Sequence, residues 1–443
     1  MTFERSFKRI ELMKKLIITM FLFAGYVSYG QERLTLQDAI AKALEYNFDI
    51  RVANVVAQQA EVNNTIGNAG MLPDINATGG VNVGSTNSHI EFADGRIQER
   101  NGARSMAYNG AVNLNWTLFD GGRMFLLKRQ LNMQEELAQV QLKEQVQRTV
   151  SQVIQAYAQV VFQHQQGVAI DTGLALAKIR MMLSQVKFET GASAKVDFLQ
   201  ARVDYNARQS DSLGQESAVN SSFAMLNLLM GEDPFKSYIV DDSLRSDLGL
   251  QPTDRQTLQG VNLTVDIARR NADISRVNSR IARTFHLPTL DLNGGYNYNY
   301  SKSEAGFALF NRTSGPSGGL SLNMPLFQGG NIRRQARVAS LQAMRNELLY
   351  HRQNTELGRQ YRTAWRNYVV AVAAYKLEQE NIRYAKENLD IQRARFRVGI
   401  ATTLETREAE NSYVQALVRF YTAAYNVKVS ETLVLEIENE LVK

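Results

Sequence analysis

Apolar and polar positions along this chain keep one period, switch to a second, return, and then repeat the whole sequence of changes. Residues 34–70 space their apolar side chains as a helix does, with Thr35 placed as a cap and Pro73 as a stop. Beyond Pro73 the pattern alternates. Ile75, Ala77, Gly79, Val81 and Val83 fall on one side, and Asp74, Asn76, Thr78 and Asn82 on the other. Tyr108, Gly110, Val112, Leu114, Trp116 and Leu118 alternate in the same way with Asn109, Asn113, Asn115 and Thr117. Period two with one apolar and one amide- or hydroxyl-bearing side predicts half-wet strands. A polar, glycine-containing loop over about residues 85–107 joins them into a hairpin.

After Gly121-Gly122 the helical period returns: Val146, Val150, Val153, Tyr157 and Val160 step by four and three. This is a heptad-like seam, the pattern of a helix that wraps around neighbours. No proline interrupts it from Gly122 to Phe188, and at 1.5 Å per residue such a helix reaches roughly 100 Å. Gly167 and Gly173 are where it is expected to kink or break, because glycine weakens a helix interior.

The same order recurs. Asn47-Phe48-Asp49-Ile50 leading to Leu72-Pro73 matches Asn262-Leu263-Thr264-Val265 leading to Leu287-Pro288. Leu290, Leu292, Tyr296, Tyr298 and Tyr300, then Leu320, Leu322, Met324 and Leu326, form a second pair of alternating strands around a loop at about 302–317. Leu118-Phe119-Asp120-Gly121-Gly122 matches Leu326-Phe327-Gln328-Gly329-Gly330, and Phe188-Glu189-Thr190-Gly191 matches Phe396-Arg397-Val398-Gly399. Leu357, Tyr361, Ala364, Tyr368, Ala371 and Tyr375 form the second seam. Landmarks that recur in order at matching spacing mark a duplication. Its halves are residues 31–230 and 261–443, with a mixed linker over 231–260 that carries Asp241 and Asp242.

Composition narrows the picture. Lys14 and Lys15, an apolar run from Leu16 to Ala24 and a small-residue exit ending at Gly30 read as a cleaved signal peptide over residues 1–30. The run is shorter than the ~20 residues a helical span needs, and no later segment is apolar enough to cross as a helix. The net charge is +6, and the first thirty residues supply five of the cations against two acids. The balance left is too small to argue for nucleic acid as a partner. The absence of cysteine excludes disulfides, thiolate metal sites and a cysteine nucleophile. His89, His164, His286 and His351 are scattered without ligand spacing, and Arg333, Arg334 and Arg337 form a solvated helix face. No phosphate loop or nucleophile elbow is present. The residues point to a protein without catalytic site, metal or cofactor.

Exported strands with one apolar and one wet face suit a transmembrane barrel. Open strand edges cannot be left in hydrocarbon, so the sheet must close, and four strands are too few to close alone. The chain is therefore expected to self-associate, in a number of copies that spacing leaves open. Trp116, Tyr296, Tyr298 and Tyr300 are candidates for an interfacial aromatic girdle. An exported structural or adhesive protein built on coiled helices is the rival, and it leaves the paired period-two hairpins unexplained.

The duplicated Leu-Pro before a strand pair (Pro73, Pro288), the Leu-Phe-x-Gly-Gly exit (Gly121, Gly122, Gly329, Gly330) and the Phe-x-x-Gly tip resemble the TolC-like outer membrane efflux proteins, from about Leu34 to Leu441. The resemblance implies a mixed architecture, all-α plus transmembrane β-barrel. It implies a homotrimer with a twelve-stranded barrel in outer-membrane lipid, joined to a periplasmic α-helical tunnel. It implies the passive exit duct of a tripartite efflux pump or type I secretion system. Its partners would be a periplasmic adaptor, or membrane fusion protein, and an inner-membrane pump. The adaptor would meet the tips: Phe188, Thr190, Gly191, Ala192 and Ser193, and Phe396, Val398, Gly399, Ile400, Ala401 and Thr402. Acidic residues at the family's gate offsets are Asp197, Glu405 and Glu408. Thr402-Thr403-Leu404-Glu405 is equally a capping-box pattern. Where family members place an arginine two residues after the second tip glycine, this chain has Ala401.

Overall fold

Thr35 and Asp38 cap each other. The Thr35 amide and hydroxyl both donate to the Asp38 carboxylate, at 3.2 and 2.7 Å, and the Asp38 amide donates back to the Thr35 oxygen. The helix so started is interrupted at Asn47, whose side chain accepts from the amides of Asp49 and Ile50 and opens a second helix. The run expected as one helix to Pro73 is thus two, and it ends early. Side chains that bond their own backbone compete with a continuing helix.

The computed structural model describes residues 32–241, 243–304 and 308–442; the expected signal peptide and Asp242 lie outside them. The first half contains β1 (Arg33–Leu34), α1 (Leu36–Tyr46), α2 (Phe48–Asn63), the hairpin β2 (Asp74–Glu91) and β3 (Ile97–Phe119), α3 (Arg123–Glu189) and α4 (Lys195–Met230). The linker region contains β4 (Ile239–Val240) and α5 (Arg255–Val261), and the second half contains α6 (Leu263–Thr284), the hairpin β5 (Thr289–Ser303) and β6 (Phe310–Asn323), α7 (Asn331–Arg397) and α8 (Thr403–Ile437). Turns over residues 65–70 fill the interval between α2 and Pro73.

Helix α3 runs unbroken through Gly167 and Gly173, against expectation. A β-carbon at Gly173 would lie 3.2 Å from the Val414 side chain of α8. Glycine costs the helix about 1 kcal/mol there, and close packing on α8 offsets it.

Two compact units cut across the duplication. One takes the residues up to Tyr46, Gln152–Leu248 and Val370–Val429; the other takes Asn47–Ser151, Gly249–Val369 and Ser430 onward. In the first, Leu34, Val153, Val160, Val161, Leu226 and Met230 are fully buried in one cluster. Tyr157 of the α3 seam donates to the Leu34 carbonyl at 3.1 Å and accepts from the Asp241 amide at 3.4 Å, pinning the parallel pair β1–β4. In the second, Leu258, Val265 and Leu357 form the cluster. Tyr361 and Tyr368 of the α7 seam accept from the amides of Thr253 and Leu250, so seam tyrosines also hold the linker.

The second unit carries a four-stranded antiparallel sheet in the order β2-β3-β5-β6. Its strands are longer than alternation suggests: most of 85–107 and of 302–317 is strand, and the first turn is confined to residues 92–96. Apolar alternation fades there because neither face is covered, while the backbone ladder continues without it. β6 stops at Asn323, short of the expected Leu326, since Pro325 lacks the N–H to extend the ladder. Thr117 holds the equivalent place in β3, which reaches Phe119.

Candidate functional site

Cross-strand partners share a face. Ile75 lies opposite Leu114, Val81 opposite Tyr108, Val112 opposite Tyr296 and Leu292 opposite Leu320. The apolar positions thus merge into one continuous face, with Ile75, Val81, Val83, Val112, Tyr296, Leu320 and Leu322 at least half exposed. The other face is a lattice of amides and hydroxyls: Asn113 bonds Asn76 at 3.3 Å, Asn293 bonds Ser321 at 2.9 Å and Asn297 bonds Ser317 at 3.2 Å. Tyr108, Tyr300 and Phe310 pack in a row across the sheet, the first pair tilted and the second edge to face. A bare apolar face of this kind marks an interaction surface, and here the medium it suits is lipid.

Sheet and helix join at the two Gly-Gly turns. Gly121 and Gly122 both have positive φ, at +73° and +81°, and a β-carbon at Gly121 would lie 2.5 Å from the Leu287 β-carbon. Only glycine fits both the conformation and the contact. Buried Asp120 accepts from the Met124 amide at 3.1 Å and caps α3. Gly329 and Gly330 take the same conformation before α7, with Gln328 accepting from the Asn331 amide through its backbone. Pro73 and Pro288 each stand immediately before an outgoing strand.

The two tips lie in the first unit. Helix α3 ends in Thr190-Gly191, with Gly191 at φ +75°, and the Ala192 and Ser193 amides donate back to the Lys187 carbonyl. Helix α7 ends the same way: Gly399 has φ +82°, and the Ile400 and Ala401 amides donate to the Arg395 carbonyl. Backbone bonds of this pattern close a helix on a left-handed glycine. The structure ties the tips together. Lys187 donates to the Phe396 carbonyl at 3.0 Å and lies 3.8 Å from the Phe396 ring centre. Phe188 stacks on Phe198. Val398 and Ile400 are about 70 % exposed.

The three acids differ. Thr402 and Glu405 form a capping box, the Thr402 amide and hydroxyl donating to Glu405 at 2.7 and 2.9 Å and the Glu405 amide returning at 3.2 Å. The Thr402 bonds, with a smaller contribution from Arg395, hold the Glu405 carboxyl below its ordinary value. Asp197 stands in the first turn of α4 and lines a cleft of about 280 Å³ with Arg180, Gln200, Asp204, Thr403 and Arg407. Glu408 is exposed and is not among the residues lining that cleft.

Behind the cleft lies a charge cluster that the sequence reading missed. Arg180 of α3 is 4 % exposed, 3.1 Å from Asp204 of α4 and 3.3 Å from Glu410 of α8. Nε and Nη1 of Arg180 make no well-aligned hydrogen bond, so charge more than directed bonding holds the cluster. Burial raises the Glu410 carboxyl above its ordinary value although Arg180 and Arg393 oppose it. The signal was periodicity: Arg180 follows Leu176 by one helical turn, and Thr406, Glu410 and Val414 step by four. A charge on a seam is a buried charge.

Among the described residues no helix is long and apolar enough to cross a membrane, and no group of residues could hold a metal ion. A sheet with a lipid-suited face and unpaired edges, continuing in chain into two 67-residue helices, defines an outer-membrane conduit for export. The chain belongs to the outer membrane efflux protein family, which matches residues 39–232 and 255–435. The outer membrane protein TolC of Vibrio cholerae is 24 % identical over 383 residues, 83 % of this chain and 82 % of that one. The proteases secretion protein PrtF of Dickeya chrysanthemi is 20 % identical over 392 residues, 87 % and 84 % of the two chains. The Campylobacter jejuni CmeC outer membrane channel matches in fold with a TM-score of 0.76 at 17 % identity, over 94 % of this chain and 91 % of that one. The protein is an outer-membrane duct for efflux or secretion, and its family is one of transport conduits.

Proposed function

We propose that three copies of this chain close one twelve-stranded barrel whose apolar face meets outer-membrane lipid and whose amide face meets water. Helices α3, α4, α7 and α8 of the copies join as a tunnel into the periplasm. The observation that carries this reading is the sheet itself, four strands with a bare apolar face and two unpaired edges. Hydrocarbon forbids unpaired edges, and four strands cannot close. The chain is organised as a signal peptide over 1–30, repeats over 31–230 and 261–443, and a linker over 231–260. The tips, residues 188–193 and 396–402, dock a periplasmic adaptor, supported by exposed Val398 and Ile400 on a turn shaped by Gly399. An inner-membrane transporter delivers the cargo.

Asp197, Glu405 and Glu408 form the periplasmic gate, repeated in each copy. The capping box is compatible with that role, because it fixes the Glu405 carboxylate in place and keeps it ionised. The deciding experiment is fractionation followed by conductance. The mature protein is expected in the outer membrane as a trimer resistant to mild detergent, conducting ions in a planar bilayer. A soluble monomer without conductance overturns the architecture.

A further inference from the structure

The two halves are equivalent strand by strand, and the observed registers test that equivalence. Because Leu72-Pro73 corresponds to Leu287-Pro288, Gly79 corresponds to Gly294 and Val81 to Tyr296. Because the Leu-Phe-x-Gly-Gly exits correspond, Gly110 corresponds to Gly318, Val112 to Leu320 and Leu114 to Leu322. Gly79 lies opposite Gly110 in the first hairpin, and Gly294 lies opposite Gly318 in the second. Equivalence thus carries register between the halves without a slip.

One pairing lacks its counterpart. β3 of the first half pairs with β5 of the second, with Leu114 opposite Gly294, Val112 opposite Tyr296 and Gly110 opposite Tyr298. The equivalent contact would join β6 to β2, which are the two outer edges of one open sheet. We infer that β6 pairs with β2 of the next copy in a single register: Leu322 opposite Gly79, Leu320 opposite Val81 and Gly318 opposite Val83. This inference rests on the proposal that copies close a barrel, and it names the contact that closes it.

Two observations choose this register over its neighbours. Facing excludes slips of one residue: the inferred pairs keep Leu320, Leu322, Val81 and Val83 on the apolar face, whereas a one-residue slip sets Leu320 beside Asn82. The junction excludes slips of two. Within the chain, Leu287 packs where a β-carbon of Gly121 would stand. At the equivalent Gly329 no side chain among the described residues of the same copy comes within 4 Å of that position. Its neighbours Leu326 and Phe327 are 88 % and 85 % exposed, and Leu72, the equivalent of Leu287, is 53 % exposed. In the inferred register Leu72 of the next copy covers Gly329. A slip of two residues carries it about 7 Å away along the strand.

The chain has no cysteine, so an introduced pair reports one contact. Val81→Cys with Leu320→Cys is expected to cross-link neighbouring copies on oxidation, giving covalent oligomers on a denaturing gel. Asn82→Cys with Gly319→Cys reads the same register from the water-filled side and should do likewise. Val83→Cys with Leu320→Cys, and Val81→Cys with Leu322→Cys, are diagonal pairs about 7–8 Å apart, beyond ordinary disulfide reach. They should cross-link at least about tenfold more slowly. If a diagonal pair reacts as fast as the two direct pairs, or the direct pairs fail in a protein that is oligomeric in mild detergent, the register is overturned and the barrel stands. A protein that is monomeric before oxidation overturns the barrel proposal instead.

Discussion

Thr402 shows how a single side chain serves position and charge together. Its hydroxyl caps α8 while its amide and hydroxyl hold Glu405 ionised. Replacing Thr402 by alanine is expected to cost about 1 kcal/mol of stability at pH 7. The Glu405 contribution has a definite sign. A carboxyl held below its ordinary value of 4.5 stabilises the fold above that pH, and the effect is lost as pH falls through the lower, folded value. Urea melts of wild type and Thr402→Ala should therefore differ more at pH 7 than at a pH below the folded Glu405 value, where only the Thr402 hydroxyl's bond from the Glu405 amide is still lost. An equal difference at both would show that Glu405 has no part in the cap. Gly121 and Leu287 make the complementary point: a residue without a side chain is specified as strongly as any other when backbone and neighbour both require it.

At the scale of elements, three helices meet around one buried ion cluster. Arg180 supplies α3, Asp204 supplies α4 and Glu410 supplies α8. Removing one member of a buried cluster leaves the others uncompensated, at a cost of about 3–5 kcal/mol. Arg180→Met should destabilise the helical region by that order, and Arg180→Met with Glu410→Leu should recover part of the loss. Denaturation followed by helical circular dichroism reads both, at one fixed protein concentration because self-association, as proposed, would make stability concentration-dependent. A double variant no better than the single would show that Glu410 is not what Arg180 compensates. The elevated Glu410 carboxyl adds a pH signature. A raised folded value lets stability fall as pH rises from the ordinary 4.5 towards that value, and Glu410→Gln should abolish the slope.

For the assembled molecule, the proposed trimer and gate would set three copies of Asp197, Glu405 and Glu408, up to nine carboxylates, around one constriction. A ring of like charge attracts cations, and each interaction is screened over about 8–10 Å at moderate salt. The reconstituted channel is expected to prefer cations and to be blocked from the periplasmic side by multivalent ones. Alanine at all three positions should abolish the block and weaken the preference in bilayer recordings at two salt concentrations. Unchanged block would reduce Glu405 to its capping role and remove the gate.

Much of this was legible in the residue pattern because it depends on periods. Strand faces follow a period of two and helix seams one near 3.6, so the apolar row through Val81 and Val112 and the seam through Val150 and Tyr157 could be read directly. Recurrence carried the rest: Leu-Pro and Gly-Gly landmarks announced the second half before any contact was known. What periodicity does not register, only the tertiary structure decided. The break at Asn47 came from its side chain bonding the following backbone, and at the early end of α2 the Asn68 side chain donates to the Asn63 carbonyl. The polar stretches at 85–107 and 302–317 stayed in strand because a ladder needs paired backbone and not an apolar face. Gly173 stayed helical because Val414 packs against it, and Arg180 became buried because Asp204 and Glu410 came from helices distant in sequence. Local pattern specifies which face a residue presents; what meets that face depends on partners the pattern does not contain.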